Sequence, residues 1–384
     1  MSERLKLLFS AVEPSGDALG AALIRALRAR QPEIEIIGCG GEAMAGEGLQ
    51  SIFDTAPLAV IGPVAAARAI PAALAGAGAL AQLAAMERPA AAIFIDSWTF
   101  SKMAAKRLRV ASPETKRYKF VAPQVWASRP KRTETAARLF DGMLTLFDFE
   151  TPYFEDAGLK TFAVGHPGFQ ALSGATESGE AFRTAHGIGD GLLIIAAPGS
   201  RAGEIARHAP VFRACLDALR GEHPNLAVAI PVAPGRRAMV EAAFADWDSK
   251  PLFIEATEKT AAFRAADAGL VASGTISTEL AIAGAPMVVA YRVHPLTAMW
   301  ARSVITTPHV CLVNIAAGRE IIPERLQEDC TAGTLAEALR PLIADGPAAR
   351  AQRAGFTEAL PALGVGGPPA AERAAETLLD WIRA

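Results

Sequence analysis

Three stretches of the chain pair reactive side chains with a strand-to-helix turn. Residues 268–291 read AGLVASGTISTELAIAGAPMVVAY, which spells strand, turn, helix, turn, strand. Ser273, Gly274 and Thr275 stand where the strand gives way to the helix. Gly274 lets the main chain approach a ligand closely. The first N–H groups of the helix and the two hydroxyls then make an anion site suited to a pyrophosphate. Glu279, read in the first turn of that helix, offers a carboxylate that can accept both hydroxyls of a ribose. The plainer alternative is a capped helix with an acidic first turn; the turn alone favours it, and Glu279 with the parallel-sheet context balances the two. Pro198-Gly199-Ser200-Arg201 holds a similar position, where Arg201 can bond a phosphate or simply face solvent. Asn314, Arg319 and Gln327 lie in NIAAGREIIPERLQ (314–327), which by itself reads as a surface loop.

The first half of the chain carries the acids. Glu13-Pro14-Ser15-Gly16-Asp17 follows the first strand pattern and is both a natural substrate-facing loop and a natural cap. Asp96 ends the apolar run Ala91–Ile95, where a carboxylate can act as a base or cap the next helix. Glu13, Asp17 and His166 stand behind it as candidates. Trp126, Arg129, Lys131 and Arg132 cluster in WASRPKR (126–132). This small basic patch suits an anionic headgroup or sugar phosphate, although a solvated face is the simpler reading.

Positioning these groups takes a run of alternating strands and helices. Strand patterns fall at Leu5–Ser10, Ile34–Gly38, Ala91–Ile95, Tyr118–Val121, Met143–Phe147 and Phe162–Val164. A second series covers Leu192–Ala197, Leu226–Pro231, Leu252–Ile254, Gly269–Ala272 and Met287–Tyr291. Between strands, Leu19, Leu23 and Leu27 make one apolar helical stripe in 18–30, with Asp17 as its expected cap. Residues 166–190, rich in Gly, Ser and charge, read as a linker. The expectation is α/β: two doubly wound parallel sheets, one in 1–170 and one in 185–360, with a helical tail in 361–384. Ligands would bind beyond the carboxyl ends of the strands, in a cleft between lobes. Neither GxGxxG nor GxxxxGK[ST] occurs, so a nicotinamide or P-loop site lacks its usual signal.

The 384 residues exceed what one core usually serves. A net charge of −2 provides no global basic field for nucleic acid. Cys39, Cys215, Cys311 and Cys330 are scattered without metal spacing and read as reduced thiols of a cytoplasmic protein. The start, MSERLKLLFS, is too short and charged for a signal peptide. Residues 69–86 carry no charge, but they are mostly Ala and Gly. That composition favours an Ala-rich buried helix over a spanning one or a segment dipping into a bilayer surface.

Taken in order, the motifs resemble lipid-A-disaccharide synthases along nearly the whole chain. The likeness lies in AVEPSGD (11–17), GGEAM (40–44), Ile95-Asp96-Ser97, VAPQVWA (121–127) and FE (149–150). It continues in Gly165-His166-Pro167, PGSR (198–201), SGTISTE (273–279), PMVVAYR (286–292) and NIAAGREIIPERLQ (314–327). The resemblance implies a GT-B fold and an inverting transferase that needs no metal or cofactor. Such an enzyme moves 2,3-diacylglucosamine from its UDP carrier to 2,3-diacylglucosamine 1-phosphate. The products are a β(1→6) disaccharide 1-phosphate and UDP. Acylated donor and acceptor imply a cytoplasmic protein lying peripherally on the inner membrane, which raises the bilayer-dipping reading of 58–86. A homodimer is compatible with this reading; a nucleic-acid partner is not expected. By the resemblance Asp96 is the base, and Ser273, Gly274, Thr275 and Glu279 hold the UDP.

Departures from the family pattern gather in the first half. Val12 stands for a glycine, Trp98-Thr99 for Pro-Asp or Pro-Glu, Ser128 for a tryptophan and Asp148 for a proline. Pro63-Val64-Ala65-Ala66 lacks the usual glutamate. Val12 and Trp98 are expected to add bulk near the cleft floor. Two readings compete: a paralogue using another UDP-HexNAc donor and acceptor, and a non-catalytic relative that binds UDP-sugar or lipid. Asp96 beside an intact donor turn argues against the second. The EPSGD and VWA segments do not suit a UDP-GlcNAc 2-epimerase of the same fold.

Overall fold

A computed structural model describes residues 4–59, 63–343 and 345–384. The backbone divides into two units, one of residues 1–167 with 367–384 and the other of 168–366.

Six parallel strands form the sheet of the first unit: β1 (Lys6–Ser10), β2 (Glu35–Cys39), β3 (Ala91–Ile95), β4 (Lys116–Phe120), β5 (Gly142–Thr145) and β6 (Thr161–Ala163). Their order is β2-β1-β3-β4-β5-β6, with Leu7 opposite Ala91 and Ser10 opposite Phe94. The central strand β3 is apolar and buried throughout because helices cover both faces. Four helices matter below: α1 (Pro14–Arg30), α2 (Glu42–Gly46), α3 (Pro63–Glu87) and α4 (Trp98–Ala111). Proline at the first position of α1 costs no hydrogen bond there. Leu23 and Leu27 are buried as their spacing predicts. The helix Ala370–Arg383 belongs to this unit: Leu378, Leu379 and Trp381 join the core of Leu23 and Leu27. Tyr118 Oη donates to the Trp381 carbonyl at 3.0 Å.

The second unit repeats the plan with β7 (Leu193–Ala197), β8 (Ala227–Pro231), β9 (Leu252–Ile254), β10 (Ala268–Ala272), β11 (Met287–Tyr291) and β12 (Glu324–Leu326). The order is β12-β11-β10-β7-β8-β9, all parallel, with Ala268 opposite Ile194 and Val271 opposite Ala197. Eleven of these twelve strands match the sequence patterns; β12, reading Glu-Arg-Leu, is too short and polar to show. Residues 166–190 are not a bare linker, since they contain the helices Pro167–Ser173 and Gly179–Ala185. Arg264 donates to the carbonyls of Ala175 and Glu177 at 2.5 and 2.9 Å, which pins that segment to the second unit.

Each sheet reverses its winding once, between β1 and β3 in the first unit and between β10 and β7 in the second. Neighbouring connections leave such a point in opposite directions and open a crevice beyond the strand ends. The loops after β1 and β3 carry residues 11–17 and Asp96, and those after β7 and β10 carry residues 198–201 and 273–275.

Two sequence expectations change at this level. The helix α3 is not a buried element. Over Ala67–Glu87 it has a mean hydropathy of 1.6, yet only 28% of its most apolar window is buried. Its C-terminal half packs Ala77, Leu80 and Ala84 into the core, while Ile70 and Leu74 remain exposed. Residues 60–62 of the 58–86 stretch lie outside the described residues, as do the side chains of 63–66. Val12 adds no bulk to an open surface. Val12 is buried in the core beneath α3 and α4, and Trp98 packs against it with Phe140.

Candidate functional site

The first switch point is built around Asp96. Backbone φ is 53° at Asp96 and 27° at Ser97, with 70° at Val121 on the neighbouring strand end. Left-handed backbone at non-glycine residues costs about 1–3 kcal/mol each and persists only where surroundings enforce it. The enforcing group is Lys119, whose side chain is buried under the turn. Its Nζ donates to the carbonyls of Asp96 at 2.6 Å, Phe120 at 2.9 Å and Phe94 at 3.3 Å. Three acceptors match the three N–H bonds of an ammonium. Burial pushes the Lys119 amine down to about 7, against the upward pull of Asp96 and Glu13. Ser15 Oγ donates to Asp96 Oδ2 at 2.6 Å. Gly16 permits this closeness: a Cβ there would meet Asp96 Cβ at 3.1 Å. The N-cap of α4 is Ser97, so Asp96 is not the helix cap its position allowed.

The remaining first-half candidates separate. Asp17 is buried, and its carboxylate accepts the N–H groups of Gly41 at 2.7 Å, Ala43 at 2.8 Å and Met44 at 3.1 Å. It caps α2 rather than α1, whose N-cap is Glu13, and its lone pairs are spent on backbone. Trp126 is buried too and donates from Nε1 to Glu150 Oε1 at 3.1 Å, which anchors its loop. Burial pushes Glu150 up to about 7, and the bonds from Phe147, Trp126 and Leu146 temper the rise. Arg129 stays exposed at a φ of 57°. His166 stacks on Phe147 at 6.0 Å between ring centres.

The second switch point opens into a cavity of about 480 Å³. Arg201, Ser273, Gly274, Thr275 and Glu279 all line it, from the loop after β7 and from the turn and helix after β10. Gly274 is the N-cap of the helix Thr275–Ile282 with a φ of 155°, a conformation open to glycine, and a Cβ there would meet nothing within 4 Å. Ser273 Oγ donates to the Val310 carbonyl at 2.9 Å, so its hydroxyl orients the turn. Glu279 sits in the second turn of the helix, not the first, and faces the cavity. There Lys259 pairs with it at 2.7 Å.

Across the cavity, Arg201 pairs with Glu204 at 2.7 Å. Burial lifts the Glu204 carboxyl. The hydrogen bonds from Arg201 and from the Ser200 and Arg201 N–H groups outweigh that and hold it below its ordinary value. His208 braces the same loop: Arg292 N–H donates to its Nε2 at 2.9 Å, so Nδ1 donates to the Pro198 carbonyl at 2.7 Å. Burial lowers its pKa.

Asn314, Arg319 and Gln327 do not line this cavity. Asn314 is fully buried, and all its amide atoms bond within the 314–324 segment. That segment is a helix, Leu312–Ala317, leading to β12, and not a surface loop. Arg319 pairs with Glu358 at the surface. The Gln327 amide spans the backbone N–H and carbonyl of Val293. Sequence reading missed Lys119, Glu204 and Lys259. Lys119 carried a signal, since a lysine between Tyr118 and Phe120 in an inner parallel strand is out of pattern. Lys259 carried none.

With this geometry in hand, comparison with known proteins is decisive. The family description "Lipid-A-disaccharide synthetase" matches residues 7–365. The chain belongs to the lipid-A-disaccharide synthase family. A lipid-A-disaccharide synthase of Ruegeria pomeroyi is 39% identical over 98% of this chain and 96% of its own. The Rhodospirillum centenum enzyme is also 39% identical, over 98% and 95%. Among solved structures, Staphylococcus aureus MnaA with UDP aligns at a TM-score of 0.61 and 14% identity, over 98% of this chain and 96% of that one. Burkholderia multivorans trehalose 6-phosphate synthase gives 0.60 and 13%, over 99% and 96%. These distant likenesses establish the fold alone: two Rossmann-like units of the GT-B type. Family membership makes the chain a UDP-sugar glycosyltransferase that forms the lipid A disaccharide.

Proposed function

We propose that the second-unit cavity holds the UDP of an acylated glucosamine donor and that Asp96 is the base for its transfer to an acylated sugar phosphate. The observation that carries the donor half is the convergence of Arg201 with the Ser273–Glu279 turn on one cavity. Arg201 and the N–H groups opening the helix Thr275–Ile282 neutralise the diphosphate, whose charge grows as the glycosidic bond breaks. Glu279 accepts the ribose hydroxyls, releasing Lys259 toward the phosphates.

On the acceptor side, Ser15 occupies one Asp96 oxygen and leaves the other for the 6-hydroxyl. Asp96 takes that proton as the oxygen attacks the anomeric carbon with inversion, and UDP departs. Lys119 holds the turn that aims the carboxylate. Acylated substrates require the cytoplasmic protein to work at the inner-membrane surface, and the exposed apolar half of α3 supports that.

UDP release from UDP-2,3-diacylglucosamine, measured with and without 2,3-diacylglucosamine 1-phosphate, tests the whole reading. Acceptor-dependent release is expected. Release that ignores the acceptor, or none with this pair and some with another UDP-HexNAc, overturns it.

A further inference from the structure

Behind the loop that carries Arg201, one helix face holds two buried polar side chains. Glu204 and His208 stand four residues apart on the helix Ala202–Glu222, so they share a face. Both are buried, His208 completely. Glu204 Oε2 accepts the N–H groups of Ser200 at 3.1 Å and Arg201 at 3.3 Å. Its Oε1 accepts Arg201 Nη1 at 2.7 Å and the Tyr291 hydroxyl at 3.3 Å. Gly199, with a φ of 119°, lets the loop lie against the helix, since a Cβ there would come within 2.6 Å of Glu204 Cβ. His208 Nδ1 completes the loop's attachment by donating to the Pro198 carbonyl at 2.7 Å.

The other ring nitrogen reaches a different strand. His208 Nε2 accepts the Arg292 N–H at 2.9 Å, and Arg207 Nε donates to the Arg292 carbonyl at 3.1 Å. Arg292 follows β11, and Pro198 follows β7. Those two strands flank β10, whose end carries Ser273, Gly274 and Thr275. The imidazole therefore ties together the strand ends on either side of the turn that faces the cavity. An apolar side chain of similar size would fill this space without the cost of burying a polar ring. What the ring adds is direction. It offers one donor and one acceptor, and the Pro198 carbonyl and the Arg292 N–H take one each. Only the neutral ring with its proton on Nδ1 makes both bonds. A second proton would set N–H against N–H at Nε2 and cost the bond to Arg292.

We propose that His208, with Glu204, is a positioning residue for the donor: as the neutral Nδ1–H tautomer it holds the 198–201 loop where the Arg201 guanidinium meets the diphosphate. His208 does not line the cavity and acts through Arg201. This rests on the donor-site reading above and adds how the loop is set and at what protonation state. The charged groups around the ring are Glu204, Arg207 and Arg292, and the Tyr291 ring lies 5.5 Å away between centres. Burial, aided by the two arginines, keeps the ring neutral against the pull of the Pro198 carbonyl and Glu204. The folded value thus lies below the ordinary 6.5, so donor affinity should hold through neutral pH and fall as pH drops below 6.5.

The test is calorimetric binding of a short-chain, water-soluble UDP-2,3-diacylglucosamine. Its diphosphate is substituted at both ends and keeps its charge across this range, unlike free UDP. Arg201→Ala, measured first, should weaken binding by about tenfold or more. His208→Leu should weaken it by about tenfold and raise the donor KM without moving the acceptor KM. A brace that works through Arg201 has nothing left to aim once Arg201 is gone, so R201A/H208L should bind no worse than R201A. His208→Gln keeps an amide donor and acceptor but takes no proton. It should restore binding above pH 6.5 and lose the fall that wild type shows below it. The proposal is overturned by wild-type affinity in H208L, by losses from R201A and H208L that add in full, or by one pH profile shared between H208Q and wild type. If His208→Leu fails to fold, the pH profile of His208→Gln decides alone. Failure of the donor-site reading looks different: Arg201→Ala then binds the donor as well as wild type does, and both readings fall.

Discussion

At the switch point of the first unit, the charged groups are sealed against backbone. At that of the second, they face one another across open space. Lys119 is buried and spends its hydrogen bonds on the carbonyls of Phe94, Asp96 and Phe120. Lys259, Glu279 and Arg201 instead line the 480 Å³ cavity and are held by ion pairs that a ligand can displace. The same winding thus supports two strategies. The base proposed at Asp96 must keep one orientation, and a strained turn locked from beneath provides it. The nucleoside diphosphate site proposed in the second unit must exchange its own pairs for those of the ligand, so its charges stay near solvent.

Asp96→Ala should cut kcat by about 10³-fold, a general base being worth 10²–10⁴, while UDP affinity by calorimetry stays within twofold (~2). An equal loss of UDP binding would mean the two half-sites are not separable. Lys119→Met should destabilise the protein by about 3 kcal/mol in urea, because three buried carbonyls lose their donor. It should lower kcat and spare the UDP affinity.

The pH dependence of that difference has a definite sign. The amine sits near 7 in the folded protein and at 10.5 when unfolded. Between those values the unfolded chain binds more protons, so stability rises with pH. The advantage of wild type over Lys119→Met should therefore grow from pH 7 toward 10.5, and a flat difference would show that Lys119 does not titrate in this window.

The next effect belongs to the second unit. Glu279→Ala should weaken UDP binding by about 10- to 100-fold, the range for a hydrogen bond to a charged group, with little change in folding stability. If Glu279→Ala unfolds the protein instead, the contrast between a locked and an exchangeable half-site fails. Arg319→Ala should alter neither UDP affinity nor kcat, since its pair with Glu358 is exposed. A changed affinity would return the 314–327 segment to the donor site.

Much of this was readable before folding was considered. Parallel strands buried on both faces announce themselves as apolar runs, so eleven strands and both winding plans could be written down from sequence. Asp96, Ser273, Gly274 and Thr275 were legible because each ends such a run. Asp17, Trp126 and Asn314 were candidates whose polar atoms brace the fold from within. A side chain's type shows which bonds it can make, whereas its partners lie tens of residues away.

By itself, then, the sequence determined the two βαβ series, the glycine at the turn after β10, the acid at the end of β3 and the family. These depend on local periodicity and on residues that no other type can replace. Tertiary structure decided the rest. It put Lys119 under Asp96 and Lys259 against Glu279, spent Asp17 on α2, and left half of α3 facing outward. Each of those outcomes depends on which elements become neighbours, a long-range choice made by burial of apolar faces and not written at any single position.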